Sequence, residues 1–148
     1  MTQVWNGYNN VGLCATALSS VIEHTGKLSL SKAMLVMPLV MHDATISFLS
    51  NRNIRKREAA ALASVRPELI VNFNSRFEDS LVVSLNAIQL LVHLGCARLS
   101  VDLIPVKPMQ IDNVFGKRVQ RIVKATPNIA ALLDGSVDEL YLNFRIQL

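Results

Sequence analysis

The period of the apolar positions changes several times along the chain, and each change predicts an element. Val11, Cys14, Leu18 and Val21/Ile22 recur at steps of three and four, so residues 9–24 read as an amphipathic helix that Gly26 stops. Ser29 and Ser31 are placed to cap a second helix. Its run from Ala33 to Met41 has no polar face, which predicts burial on all sides. Pro38 lies inside this run, removing one donor and crowding the preceding turn, so a kinked or broken helix is expected there. That bend would set the angle between the N-terminal helices and the rest. Asp43 is placed to cap a short continuation, Ala44 to Leu49.

An alanine-rich helix follows from Lys56 to Val65, and Arg66-Pro67-Glu68 restarts a helix with its buried stripe at Ile70, Phe73, Phe77 and Leu81. Ser84 then reads as the N-cap of a further helix, with Leu85, Ile88 and Leu91/Val92 facing the core and Gly95 as its end. Ala97 to Leu103 alternates in period two, the pattern of a half-buried strand that Pro105 and Pro108 terminate. Beyond it, Val114, Arg118, Arg121 and Ile122 mark a basic amphipathic helix that Thr126-Pro127 stops, with a short turn from Asn128 to Leu133. The tail alternates at Leu140, Leu142, Phe144, Ile146 and Leu148, as a strand able to pair with a partner would.

These elements predict a mainly α fold: a helical N-terminal layer, then a winged-helix-like helix-turn-helix with a short β-strand or hairpin. No repeat or low-complexity linker divides the chain, so a single domain is expected over 1–148, with a helical layer at 1–50, a winged-helix-like half at 55–109, and C-terminal helices and tail at 110–148.

Composition changes this picture in one respect. The chain is 51% apolar and only 18% charged, with a mean hydropathy of +0.33, which is oilier than most soluble monomers and points to surface shared with another protein. A membrane span is the competing explanation, but the apolar run gives nine residues where about 18 to 20 are needed. The N-terminus has no basic region preceding an apolar run, so no secretory signal is expected and a cytoplasmic location follows. Cys14 and Cys96 sit in apolar segments and read as small buried thiols. The net charge of +4 does not by itself indicate nucleic-acid binding.

Candidate chemistry is sparse. His42-Asp43 pairs an imidazole with a carboxylate, yet adjacent helical residues point about 100° apart and no third group is evident. His24 and His93 fall in the last turns of predicted helices, where capping is expected. With no Cys-x-x-Cys, His-x-x-x-His, phosphate loop or Gly-x-Ser-x-Gly, the expectation is no enzyme activity, no cofactor, no metal and no small-molecule substrate. Met34, Met37, Met41 and Met109 could line an adaptable groove, but at their spacing the first three read as core filler. Trp5 stands alone, and Phe73 and Phe77 face inward, so no stacking platform for single strands is expected. The exception is the segment Asn51 to Arg57, whose Arg52, Arg55, Lys56 and Arg57 are four cations in six residues, predicted to contact phosphates or an acidic protein face.

Three passages in order, Leu35 to His42 (LVMPLVMH), Arg66 to Arg76 (RPELIVNFNSR) and Ser84 to Gly95 (SLNAIQLLVHLG), resemble the middle component of three-component ABC systems, a family linked to the Lamassu type of bacterial anti-phage defence. The resemblance covers about residues 9–103. It implies a non-enzymatic adaptor carried with an SMC-like or Rad50-like ABC ATPase and an effector, often a nuclease, with DNA reached through the complex. Arg76, which closes the second passage, joins the four basic residues as a candidate partner or DNA-backbone contact. The alternative is a free-standing winged-helix DNA-binding regulator, against which stands the lack of Arg or Lys between Ser84 and Gly95.

Overall fold

A computed structural model describes residues 7–109 and 116–148; the expectations for Trp5 and Val114 lie outside the described residues. Along the chain come α1 (Gly7–Thr25), β1 (Leu28–Ser29), α2 (Leu30–Val40), α3 (Asp43–Leu49), α4 (Lys56–Ala60), α5 (Leu62–Val65), a 3-10 turn (Pro67–Ile70), α6 (Phe73–His93), β2 (Ala97–Leu99), β3 (Asp102–Pro105), α7 (Gly116–Leu133) and α8 (Val137–Asn143). The fold is mainly α, as expected, and carries a small antiparallel sheet in which a third strand joins the hairpin.

The first half follows the sequence closely. Gly26, at φ +82°, closes α1, and its N–H bonds to the Ile22 carbonyl at 2.8 Å. Ser29 caps α2, accepting from the Lys32 N–H at 3.3 Å. Residues 33–40 are all buried, so the apolar run is core. Pro38 does not break α2, which continues to Val40; the chain then turns through Met41 and His42 into α3 at 105°. His42, and not Asp43, is the N-cap: its backbone is extended and its Nδ1 meets Thr45 Oγ1 at 2.7 Å, leaving Asp43 in the first turn.

Later elements depart from local expectation where tertiary burial outweighs propensity. The alanine-rich helix is two pieces, α4 and α5, broken at Ala61 (φ −97°, ψ 24°). No helix starts at Ser84. Residues 73–93 form one helix with Ser80, Ser84 and Ala87 buried, so the serine that reads as a cap is a small residue allowing close approach to α1 and α2. The helix-turn-helix expected around Ser84 is therefore a 3-10 turn followed, after left-handed Asn72 (φ 62°), by a single long helix. The seven-residue strand is a hairpin, β2 and β3, folded at Ser100-Val101, with Arg98 opposite Ile104 and Leu99 opposite Leu103.

Pro127 does not end α7. The helix runs on to Leu133, where Ile129, Ala130, Leu132 and Leu133 are buried, and Asn128 Nδ2 donates to the Leu49 carbonyl at 2.8 Å. That burial outweighs the lost helical bond. The tail begins as a helix, α8, in place of the expected strand. Ser136 accepts from the Glu139 N–H at 3.2 Å, Asp138 and Glu139 occupy the positive end of α8, and the buried positions Leu140 and Phe144 are four apart.

The three expected segments interleave. α1 packs against both α6 and α7, β1 joins the hairpin in the order β1-β3-β2, and Ser20 Oγ meets Thr126 Oγ1 at 2.7 Å. Phe144 stacks on Phe73 with ring centroids 4.4 Å apart, which ties the C-terminal end to the start of α6.

Candidate interaction surfaces

The basic segment is built as a loop that opens a helix. Asn51 Oδ1 accepts from the Asn53 N–H at 2.9 Å, an Asx turn, and Ile54 packs partly against the core. The Glu58 carboxylate accepts from the Arg55 N–H at 3.4 Å at the start of α4. Arg52, Arg55, Lys56 and Arg57 are all exposed, and among the described residues none of them forms an ion pair. Lys56 and Arg57 also line a cleft of ≈ 510 Å³ with His24, Pro127 and Asp134, bringing the ends of α1 and α7 beside the segment. Arg52 precedes α4, Arg55 is its N-cap and Lys56 and Arg57 open it, a placement of positive charge that the helix dipole disfavours, so helix stability does not account for these cations.

Arg76 is put to internal use. Its Nη2 donates to the Leu69 carbonyl at 2.6 Å and its Nη1 to the Pro38 carbonyl at 3.2 Å, with the guanidinium 5.2 Å from the Phe73 ring centre. Both acceptors lie at helix ends, where carbonyls lack intrahelical partners. Burial pushes the Arg76 pKa down to about 10.

Among the described residues, His42 and Asp43 do not converge on a third group of a catalytic triad; the His42 ring meets the Thr45 hydroxyl. The His42 pKa is lowered, first by burial and then by the charge of Arg76, with Asp43 pulling the other way. Asp43 is exposed, and its backbone carbonyl accepts from Arg121 Nη2 at 3.2 Å; the same nitrogen donates to Ser47 Oγ at 2.6 Å. Arg121 thus anchors α7 to α3, while Lys117, Arg118 and Lys124 of α7 stay exposed. His24 and His93 are exposed in the last turns of α1 and α6.

The sequence misassigned one surface. Leu85 and Val92, expected in the core, are exposed on α6, together with Val82. The clue is a helix with too many apolar positions for one face: Phe77, Ile88 and Leu91 already fill the inner stripe. No charged residue other than Glu78 and Asp79 lies on the exposed part of α6.

Cys14 and Cys96 are free and buried, as expected, and burial pushes the Cys14 thiol up to about 12. Ser84 Oγ beside it is buried without a partner at ordinary hydrogen-bond geometry, although proximity to Ser84 pulls the Cys14 thiol slightly the other way. Among the described residues no three His, Cys, Asp or Glu side chains group as a metal site would require, and no single helix is long and apolar enough to cross a membrane.

The family model for the ABC-three component (ABC-3C) system Middle Component 3 matches residues 6–148. No curated protein and no solved structure matches the chain.

Proposed function

Because the chain belongs to the ABC-three component system Middle Component 3 family, we propose that it is a non-enzymatic adaptor of a bacterial anti-phage defence complex of the Lamassu type. In this reading it bridges an SMC-like ABC ATPase and an effector, with a nuclease the favoured effector, acts in the cytoplasm, and reaches DNA through the complex. The family match over nearly the whole chain carries the proposal. The exposed basic segment 52–57 and the exposed apolar positions of α6 support it, since both are surfaces whose placement the fold does not explain.

Co-expression with the neighbouring ATPase and effector genes, followed by size-exclusion chromatography, tests this reading; elution of the chain alone at every concentration would overturn it. Replacing Arg52, Arg55, Lys56 and Arg57 together by glutamine brings the formal net charge from 15 − 11 = +4 to 11 − 11 = 0. Folding should survive, because exposed charges contribute only about 0 to 1 kcal/mol each. Assembly or defence should fail, and a lysine-for-arginine version at 52, 55 and 57 should retain it.

A DNA-binding regulator is the second reading, favoured by the helix-then-hairpin order of α6, β2 and β3. The charge on α6 opposes it: Glu78 and Asp79 face solvent where a recognition helix needs cations for phosphate. Tight, steeply salt-dependent binding of duplex DNA by the isolated chain would establish it instead.

A further inference from the structure

Helix α6 has two apolar faces. The inner one meets α1 and α2. On the outer one Val82 is 68% exposed, Leu85 48% and Val92 43%, with Gln89 exposed between them. Positions 82, 85, 89 and 92 step by three, four and three, the seam that a second helix occupies when two helices cross at a shallow angle. A single glutamine in such a seam fixes register at some loss of affinity. One turn earlier, Glu78 and Asp79 supply negative charge, and no lysine or arginine on the exposed part of α6 balances it.

We propose that the outer face of α6 docks an amphipathic helix of a partner subunit, one with an apolar stripe flanked by lysine or arginine. This rests on the adaptor reading and gives that adaptor a second contact, separate from the basic segment and of opposite charge. A helical occupant follows from the spacing, because a strand would need backbone groups that α6 has already used internally. A basic flank follows from Glu78 and Asp79. The same two carboxylates disfavour DNA. A second copy laid parallel on the same face would oppose Glu78 with Glu78.

The experiment uses the full chain co-expressed with its ATPase and effector. Val82→Glu with Leu85→Glu should leave the far-ultraviolet circular dichroism of the chain unchanged, both positions being exposed, and should weaken co-purification at least about tenfold, as loss of an apolar anchor does. A photo-crosslinking benzoylphenylalanine at Gln89 should link to a partner segment with an apolar heptad and basic flanks, identified by mass spectrometry. Glu78→Lys with Asp79→Lys should also weaken retention, most at low salt. Wild-type assembly that the double glutamate variant leaves intact would overturn the seam while sparing the adaptor reading, as would crosslinks to DNA, to a second copy, or to an acidic segment. A wild-type chain that joins neither subunit would overturn both.

Discussion

Replacing Arg76 by methionine should lower stability without touching the outer surfaces. α2 ends at Val40 with Met41 as its C-cap, so the Pro38 carbonyl lies among the last four of that helix, and Leu69 occupies the equivalent place in the 3-10 turn. One guanidinium satisfies both, at 3.2 and 2.6 Å, and brings positive charge to the negative end of α2. Hydrogen bonds from a charged donor contribute about 1.5 to 3 kcal/mol each, and the contact with Phe73 about 0.5 to 1. Methionine retains much of the packing of the aliphatic stem and relieves the desolvation of a half-buried cation, so the net loss should be about 2 to 4 kcal/mol. At about 3 °C per kcal/mol for a chain of this size, the Tm should fall by about 6 to 12 °C in scanning calorimetry. Arg76→Lys, which reaches one carbonyl at a time, should fall about half as far. The folded pKa of about 10 lies below the ordinary guanidinium value, so both states are charged below about pH 9 and the loss should be the same at pH 6 and pH 9. A methionine variant with unchanged Tm that no longer assembles with its partners would refute the clamp and restore Arg76 as a surface contact.

His42 has a folded pKa below 6.5, so the unfolded chain binds the proton more readily; its contribution is full above pH 6.5 and lost as the pH falls through the folded value, and His42→Asn, which leaves a non-titrating side chain suited to the N-cap position, should flatten that part of the acid limb of the Tm profile. Phe144→Ala removes a side chain only 1% exposed from its stack on Phe73 and should cost about 3 to 5 kcal/mol in urea unfolding, where a loss under 1 would show the C-terminal end to be loosely held. Ser84→Ala should be neutral or stabilise by up to about 1 kcal/mol, because it deletes a buried hydroxyl without a firm partner; a loss above 1 kcal/mol would reveal a working bond to the Cys14 thiol.

Local signals survive in the sequence where the chain satisfies itself over a few residues. The glycine after α1, the serine before α2 and the proline that opens the 3-10 turn each act on the adjacent backbone, and each stands where its residue type predicts. Signals fail where one residue type serves two purposes. Ser84 has the chemistry of a cap, but its small volume is what α1 needs from the middle of α6. Pro127 has the chemistry of a stop, but four buried residues follow it. Alternation over Ala97–Leu103 is the same for one strand as for two halves of a hairpin. β1 has no local signal, since Leu28-Ser29 is a strand only because Leu103 and Asp102 lie opposite. Of the candidate contacts, the four cations at 52–57 are readable because charge in an oily chain is conspicuous, whereas the exposed valines and leucine of α6 are not, because apolar residues read as core wherever they occur.

The turn after α2 shows how these levels meet. Pro38 would distort the helix on its N-terminal side, toward Met34, yet the 105° turn lies three residues later at Met41-His42. The proline is therefore not the hinge. What fixes the turn is the pair of contacts around it: Arg76 on the Pro38 carbonyl that α2 leaves open, and the His42 ring hydrogen-bonded to the Thr45 hydroxyl at the head of α3. Arg76 belongs to α6, so the angle between α2 and α3 is referred to the helix whose opposite face carries Val82 and Leu85. Arg121 then holds α3 to α7, and Asn128 holds its last carbonyl. α3 leads directly into the basic segment, so the same chain of caps sets where Arg52, Arg55, Lys56 and Arg57 stand relative to the α6 seam. An adaptor that must present two surfaces of opposite charge at a fixed separation needs that kind of internal reference.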